Sequence, residues 1–263
     1  MHLGLIGYGN ITRALLDVLA REGAMPARLT VLLRPAQAEA ARAAGVEVVT
    51  DTDALLAACP DLIVECAGHS AVAGTVVPAL KAGIECVVVS IGALADADLH
   101  DTVRAAAKTG HTRIVLPAGA IGGVDLLAAL KPSGISSVVY TSRKPPLAWK
   151  GTPAEALLDL PALTEPATFF TGTAREAALR YPKNANVAAT LALAGLGFEA
   201  TQVQMVADPT VGQNIHEYRV TSGAADYAIR IEGKPSPDNP KTSLATVYSV
   251  AREVMNRLNE VAI

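Results

Sequence analysis

A chain of 263 residues that is 51% hydrophobic can hold one large or two modest domains with buried cores, and two are expected. A net charge of -3 with no long basic run argues against a nucleic-acid footprint or a membrane-surface patch and leaves small soluble partners. Cys59, Cys66 and Cys86 show neither C-x-x-C spacing nor a histidine cluster, so no metal is expected; without a signal-like start or a membrane-length apolar run, the expected location is cytoplasmic.

The chain opens on an apolar segment, Leu3 to Ile6, then Gly7-Tyr8-Gly9, then the helix-periodic series Ile11, Ala14, Leu15, Val18 and Leu19. This is a strand, a tight turn and a helix. Gly7 permits the turn, and Gly9 lets backbone N–H groups reach a pyrophosphate at the positive end of the helix that Asn10 and Ile11 open. A dinucleotide suits this arrangement; an ordinary strand-helix turn is the alternative. Thr12 stands where the G-x-G-x-x-G pattern puts a third small residue, so slightly wider helix-strand spacing is expected.

Arg28 to Leu33 reads as the second strand and ends at Arg34-Pro35. That strand end faces the adenosine ribose in a dinucleotide fold, and Arg34 without an acid favours NADP, alone or beside NAD; a solvated arginine is the plainer reading. Ala36 to Ala44 is a helix closed by Gly45, Val46 to Val49 a short strand, and Asp51 to Asp53 cap a helix over Ala54 to Ala58. Leu62 to Cys66 is a buried strand leading into Ala67-Gly68-His69-Ser70, small residues at the crevice where open α/β sheets bind ligands. Ala67 and Gly68 therefore join the cofactor candidates, and His69 fits a lining or helix-start role better than catalysis. A helix over Val76 to Ala82, a strand over Cys86 to Ser90, a helix over Asp96 to Lys108 and a strand over Arg113 to Leu116 complete six strand signals. The fold class predicted for residues 1–117 is α/β, a doubly wound parallel sheet.

Leu116 to Asp125, with three glycines and a proline, is read as the passage between domains. A helix begins near Asp125, and Ser137 to Ser142 alternates like a strand with one covered face. The strands over Ala200 to Asp208, Ile215 to Thr221 and Asp226 to Glu232 fall at hairpin-like spacing, which predicts a second α+β domain with a mixed or antiparallel sheet over residues 118–240. Residues 241–263 form a C-terminal helix expected to pack back on the first domain. Polar groups gather at Arg143-Lys144, at Lys183 to Asn186 before a helix over Val187 to Ala194, and at Asn214 to Glu217. Asn186 is either a helix cap or a ligand contact. His216 is either a hydrogen-bonded structural histidine or a proton-transfer group, and by strand alternation it shares a face with Asn214. Pro235 to Ser243 reads as a turn-rich loop carrying Lys241 and Thr242.

Together Gly4-Leu-Ile-Gly-Tyr-Gly9, Val64-Glu-Cys-Ala-Gly68, Leu116-Pro-Ala-Gly-Ala-Ile-Gly-Gly123, Tyr181-Pro-Lys-Asn-Ala-Asn-Val187, Gly212-Gln-Asn-Ile-His-Glu217 and Asn239-Pro-Lys-Thr-Ser243 resemble the L-aspartate dehydrogenase family over essentially the whole chain. The resemblance implies a Rossmann domain and oxidation of L-aspartate with NAD or NADP to iminoaspartate, which yields oxaloacetate and ammonia or feeds NAD synthesis through quinolinate. It implies His216 as the catalytic residue and Ala120 and Asn186 as cofactor contacts. Two substrate carboxylates need cations or donors; Lys183, Lys241 and Thr242 are the candidates carried into the substrate site with Asn214, and Arg143 is a further cation to consider. Another two-domain dehydrogenase, related to homoserine dehydrogenase or dihydrodipicolinate reductase, and a non-catalytic NADP-binding sensor are the competing readings. A homodimer is expected.

Overall fold

The computed structural model describes residues 1–43, 46–236 and 239–262, without the side chains at 40, 43, 235, 236 and 239–242. The chain divides into two compact units, Met1–Pro117 with Val247–Ile263, and Ala118–Thr246.

In the first unit strands and helices alternate: β1 (His2–Ile6), α1 (Asn10–Arg21), β2 (Arg28–Leu32), α2 (Pro35–Ala43), β3 (Glu47–Val49), α3 (Thr52–Ala57), β4 (Leu62–Glu65), α4 (His69–Ala71), α5 (Val77–Lys81), β5 (Glu85–Val88), α6 (Ala97–Thr109) and β6 (Ile114–Val115). A π-helical turn, Val72–Val76, joins α4 to α5. All strand pairs are parallel, in the order β3-β2-β1-β4-β5-β6. This is the doubly wound sheet expected from the alternation. The order reverses between β1 and β4, which opens a crevice at their carboxyl ends. The strands form where apolar runs can be buried from both sides: every residue of β4, Glu65 included, is buried. Asp51 and Asp96 cap α3 and α6 with their carboxylates. Ala44 and Gly45, read as the end of α2, lie outside the described residues.

The second unit contains α7 (Val124–Leu130), β7 (Ile135–Lys144), β8 (Ala167–Thr173), α8 (Ala174–Arg180), α9 (Asn186–Ala194), β9 (Gln202–Ala207), β10 (Asn214–Ser222), β11 (Tyr227–Gly233), β12 (Pro235–Ser236) and β13 (Asn239–Ser243). Five strands form a sheet in the order β11-β10-β7-β9-β8, mixed because β7 and β9 run parallel. The segment over Pro235 to Ser243 is not simply a loop: β12 and β13 pair antiparallel, and residues 237 and 238 between them lie outside the described residues. Sequence reading also passed over β8 and α8, which a Thr173–Glu176 capping box separates.

The last helix, α10 (Leu244–Met255), begins in the second unit and ends in the first. Its Val247, Val250, Ala251 and Val254 join Leu3, Leu5, Leu15 and Val64 in the first unit's core. Burying a side chain the size of leucine or valine contributes about 1.5–3 kcal/mol, so this helix is integral to that core. No described helix is long and apolar enough to cross a membrane.

Candidate active site

In the first unit, Gly9 occupies the N-cap of α1, offers no side chain to cap it, and no acid stands in the helix's first turn. A Cβ added at Gly9 would meet nothing within 4 Å, whereas Gly7, at φ +92°, brings its backbone so near Ala67 that an added Cβ would lie 3.1 Å from the Ala67 Cβ. The turn thus leaves a positive helix end facing open space, the arrangement that receives a phosphate. Thr12 does more than fill the third small position: its buried hydroxyl donates to the Gly7 carbonyl at 3.0 Å and ties helix to turn.

That helix end borders a cleft of about 600 Å³ lined by Gly7, Tyr8, Gly9, Arg34, Ala67 and Thr75 among others. Of the residues singled out by sequence, Gly7, Gly9, Arg34 and Ala67 meet here. Arg34 is exposed, with its Nε donating to Gln37 at 3.4 Å. The nearby carboxylate of Asp51 is already engaged by the Ala54 N–H at 2.8 Å. Gly68, at φ +120°, caps α4, which His69 starts. Asn10 accepts from Arg13, and Ile11 packs against the core.

Glu65 was hidden within an apolar run. Its buried carboxylate accepts from the N–H groups of Ala67 and Gly68, each at 2.7 Å, from the Ser90 N–H and from the Ser90 hydroxyl. Four donors on one carboxylate fix the loops that follow β4 and β5, and with them the Ala67 wall of the cleft.

In the second unit, β7 alternates so that Tyr140, Ser142 and Lys144 are buried on one face. Antiparallel pairing sets Ser142 opposite His216 of β10, so all four side chains share that face. Tyr140 Oη and His216 Nδ1 are hydrogen-bonded at 2.7 Å, with their rings stacked. Burial, and secondarily the charge of Lys144, pull the His216 imidazole down to about 3, so it is neutral at ordinary pH. Lys144 is itself only 8% exposed, and burial lowers its ammonium to about 8. Its Nζ donates to Asn184 Oδ1 at 2.8 Å and lies 4.8 Å from the centre of the Trp149 ring. Trp149 is in turn held by its indole N–H on the Val206 carbonyl at 3.1 Å. Sequence reading named Lys144 only as one of two neighbouring cations and did not select Tyr140. Extending the alternation of Ser137 to Ser142 by two residues would have put Lys144 on the covered face.

The other sequence candidates divide. Arg143, on the opposite face of β7, is bound to Asp208 at 2.7 Å. Burial opposes ionisation of Asp208, but bonds from Thr210 and Arg143 outweigh it and hold the carboxyl below its ordinary range. Lys183 is exposed, while its neighbour Asn184 reaches the buried group. Asn186 is the first residue of α9 rather than its cap, a position held by Ala185. Asn214 opens β10 on the His216 face and lines a cavity of about 150 Å³ with Lys234 and Ser243, whose buried hydroxyl has no partner among the described residues. Ala120 is buried in the loop before α7, which Tyr218 of β10 holds by donating to the Gly122 carbonyl at 2.9 Å. Gly123 sits there at φ +68°, the left-handed region that favours glycine, and an added Cβ would fall 2.8 Å from the Tyr218 hydroxyl that makes this bond. Lys241 and Thr242 belong to β13, but their side chains lie outside the described residues. Among the described residues, no group of three or more His, Cys, Asp or Glu could hold a metal.

Residues 125–257 match the family model described as "Aspartate dehydrogenase, C-terminal", and residues 7–117 match "Homoserine dehydrogenase, NAD binding domain". The chain is 46% identical to an L-aspartate dehydrogenase of Polaromonas sp., covering 98% of this chain and 97% of the relative. It is also 46% identical to an L-aspartate dehydrogenase of Ralstonia nicotianae over the whole of both. Among solved structures, the aspartate dehydrogenase of Thermotoga maritima superposes with a TM-score of 0.78 at 28% identity, covering 100% of this chain and 99% of that one.

Proposed function

The chain belongs to the L-aspartate dehydrogenase family, and from that premise we propose that His216 is the proton acceptor in the oxidation of L-aspartate to iminoaspartate, which water converts to oxaloacetate and ammonia. It is an oxidoreductase with an NAD-binding unit. The match to a homoserine dehydrogenase model is confined to that unit, so it speaks for the dinucleotide and not for the substrate.

The residues of the first unit fit a dinucleotide: the uncapped start of α1 at Gly9 suits the pyrophosphate, and Arg34 suits a ribose 2'-phosphate, the Asp51 carboxylate in the same cleft being held by the Ala54 N–H. Gly7, Asn10, Ile11, Ala67 and Gly68 shape that turn and its wall, and family membership supports Ala120 and Asn186 as cofactor contacts. When bound, the nicotinamide ring supplies the hydride acceptor.

The observation that carries the reading is the buried Tyr140–His216 pair. Aspartate carries an ammonium, and its nitrogen must shed a proton before Cα can release hydride. A neutral imidazole has one ring nitrogen free to accept. In the tautomer whose Nδ1–H donates to Tyr140 Oη, Nε2 is the acceptor, and Tyr140 is the positioning residue that holds the ring. Asn214, on the same strand face, orients the substrate, and the exposed Lys183, with Lys241 and Thr242 of β13, completes the set of substrate candidates. The oxidation releases two electrons and one proton as hydride; the proton from nitrogen stays on His216 until solvent takes it.

The test is purified protein with L-aspartate and either NAD+ or NADP+, following absorbance of the reduced nicotinamide. Aspartate-dependent reduction is the expected result; binding of the dinucleotide without turnover on aspartate would replace the reading with a sensor. The three cysteines are unpaired, which suits the cytoplasm. The accessible sheet face bearing Thr141, Gln204, Glu217 and Arg219 is offered as the seat of a homodimer, to be checked by solution mass.

A further inference from the structure

Lys144 is a buried cation without an acid. Its partners are the neutral amide oxygen of Asn184 and the face of Trp149. Among the described residues it takes part in no ion pair, while Arg143, Arg175, Arg219 and Arg230 of the same unit each have at least one. Asp208 is tied to the same stretch of backbone, its N–H donating to the Lys144 carbonyl, but its carboxylate is taken by Arg143 and Thr210. Leaving an ammonium in a low-dielectric pocket without counter-charge is unfavourable by several kcal/mol. Asn184 occupies one of its three donors, so two remain for an incoming anion.

We propose that Lys144 is the seat of one substrate carboxylate, with Asn184 and Trp149 holding its ammonium in place. The proposal rests on the aspartate reading and names the group that recognises the dicarboxylic amino acid. Lys144 and His216 lie on one sheet face, on neighbouring strands, so a carboxylate bound at the first places the rest of a short amino acid beside the second. The seat also conditions the base. Part of what weakens the His216 imidazole is the Lys144 charge, and a carboxylate neutralises that charge, so His216 becomes a better proton acceptor when substrate arrives.

The experiment compares wild type with Lys144→Met, Lys144→Arg and Asn184→Ala, using L-aspartate as substrate and succinate as a non-reacting dicarboxylate competitor. NADPH fluorescence confirms that each variant still binds dinucleotide. In Lys144→Met the KM for aspartate and the inhibition constant for succinate should both rise roughly 10- to 100-fold, as for loss of a charge-assisted hydrogen bond, with a smaller fall in kcat. Lys144→Arg should recover part of the loss, and Asn184→Ala should raise KM several-fold. Unchanged constants, or a defect confined to kcat, overturn the seat. Should wild type fail to oxidise aspartate, the aspartate reading falls by itself; a succinate-induced rise in wild-type Tm with NADP+ present, absent from Lys144→Met, still supports the seat, and equal shifts in both overturn it.

Discussion

Each unit buries a charge near its site, Glu65 in one and Lys144 in the other, and these two are treated in opposite ways. Glu65, in the first unit, is surrounded by four donors from its own chain. Lys144, in the second, has a single amide oxygen and an aromatic face. A buried charge saturated by backbone N–H groups is a building element, fixing the loops that carry it. One left short of partners is held ready for something outside the chain, at the expense of stability. The cofactor unit is therefore rigid where its charge lies, and the substrate unit is incomplete there.

The largest effect expected from this contrast falls on the imidazole that shares the face of Lys144. His216→Ala should reduce turnover roughly 100-fold or more, as for loss of a general base, with dinucleotide affinity nearly intact; steady-state kinetics at saturating cofactor reads it, and wild-type-like turnover would remove His216 from proton transfer. Glu65→Gln should act the other way round. An amide would turn N–H groups toward buried donors, destabilising the protein by about 1–3 kcal/mol in denaturant unfolding and weakening NADPH binding. Equal stability of wild type and the Glu65→Gln variant would erase the distinction between the two charges.

A pH series sharpens the contrast further. Lys144 falls to about 8 in the folded protein from an ordinary 10.5. Between those values the unfolded chain retains a proton that the folded chain has released, so the stability of wild type relative to Lys144→Met should rise with pH, by up to about 1.4 kcal/mol per pH unit. Below about pH 8 both states are protonated and the difference should be flat. His216, lowered to about 3 from 6.5, adds a second window in which stability declines as pH falls from 6.5 toward 3. The smallest effect belongs to the exposed cation: Arg34→Asp should shift the ratio of NADP to NAD Michaelis constants about 10-fold against NADP, in line with one solvent-screened charge-assisted contact. An unchanged ratio would mean that Arg34 does not read the phosphate.

Much of the first unit was legible from local pattern. Apolar runs such as Leu3 to Ile6, closed by Gly7 and Gly9, are tied to their structure by short-range sterics, and so was the six-strand alternation. His216 could be singled out because its neighbours alternate. Glu65 and Lys144 were not, because hydropathy reads a carboxylate inside Leu62 to Cys66 as an interruption and a lysine after Arg143 as surface, although the alternation of β7 carried two residues further reaches Lys144. Their burial depends on partners far along the chain: Ser90 for the first and Asn184 for the second. β8 escaped for a related reason, since Phe169 and Phe170 face their aromatic neighbours Trp149 and Tyr181 without a clean period of two.

The return of α10 to the first unit has a consequence for synthesis. Val247, Val250, Ala251 and Val254 complete a core whose other buried members lie between Leu3 and Val89. At about 5–20 residues per second, the ribosome takes on the order of ten seconds to pass from Pro117 to Val247. Through that interval the nascent dinucleotide unit lacks one wall of its interior, whereas Ala118–Thr246 is contiguous and is complete as soon as Thr246 is made. The unit whose synthesis starts before the other's is the later of the two to hold all its residues, and until then its apolar sheet is the surface a chaperone would meet.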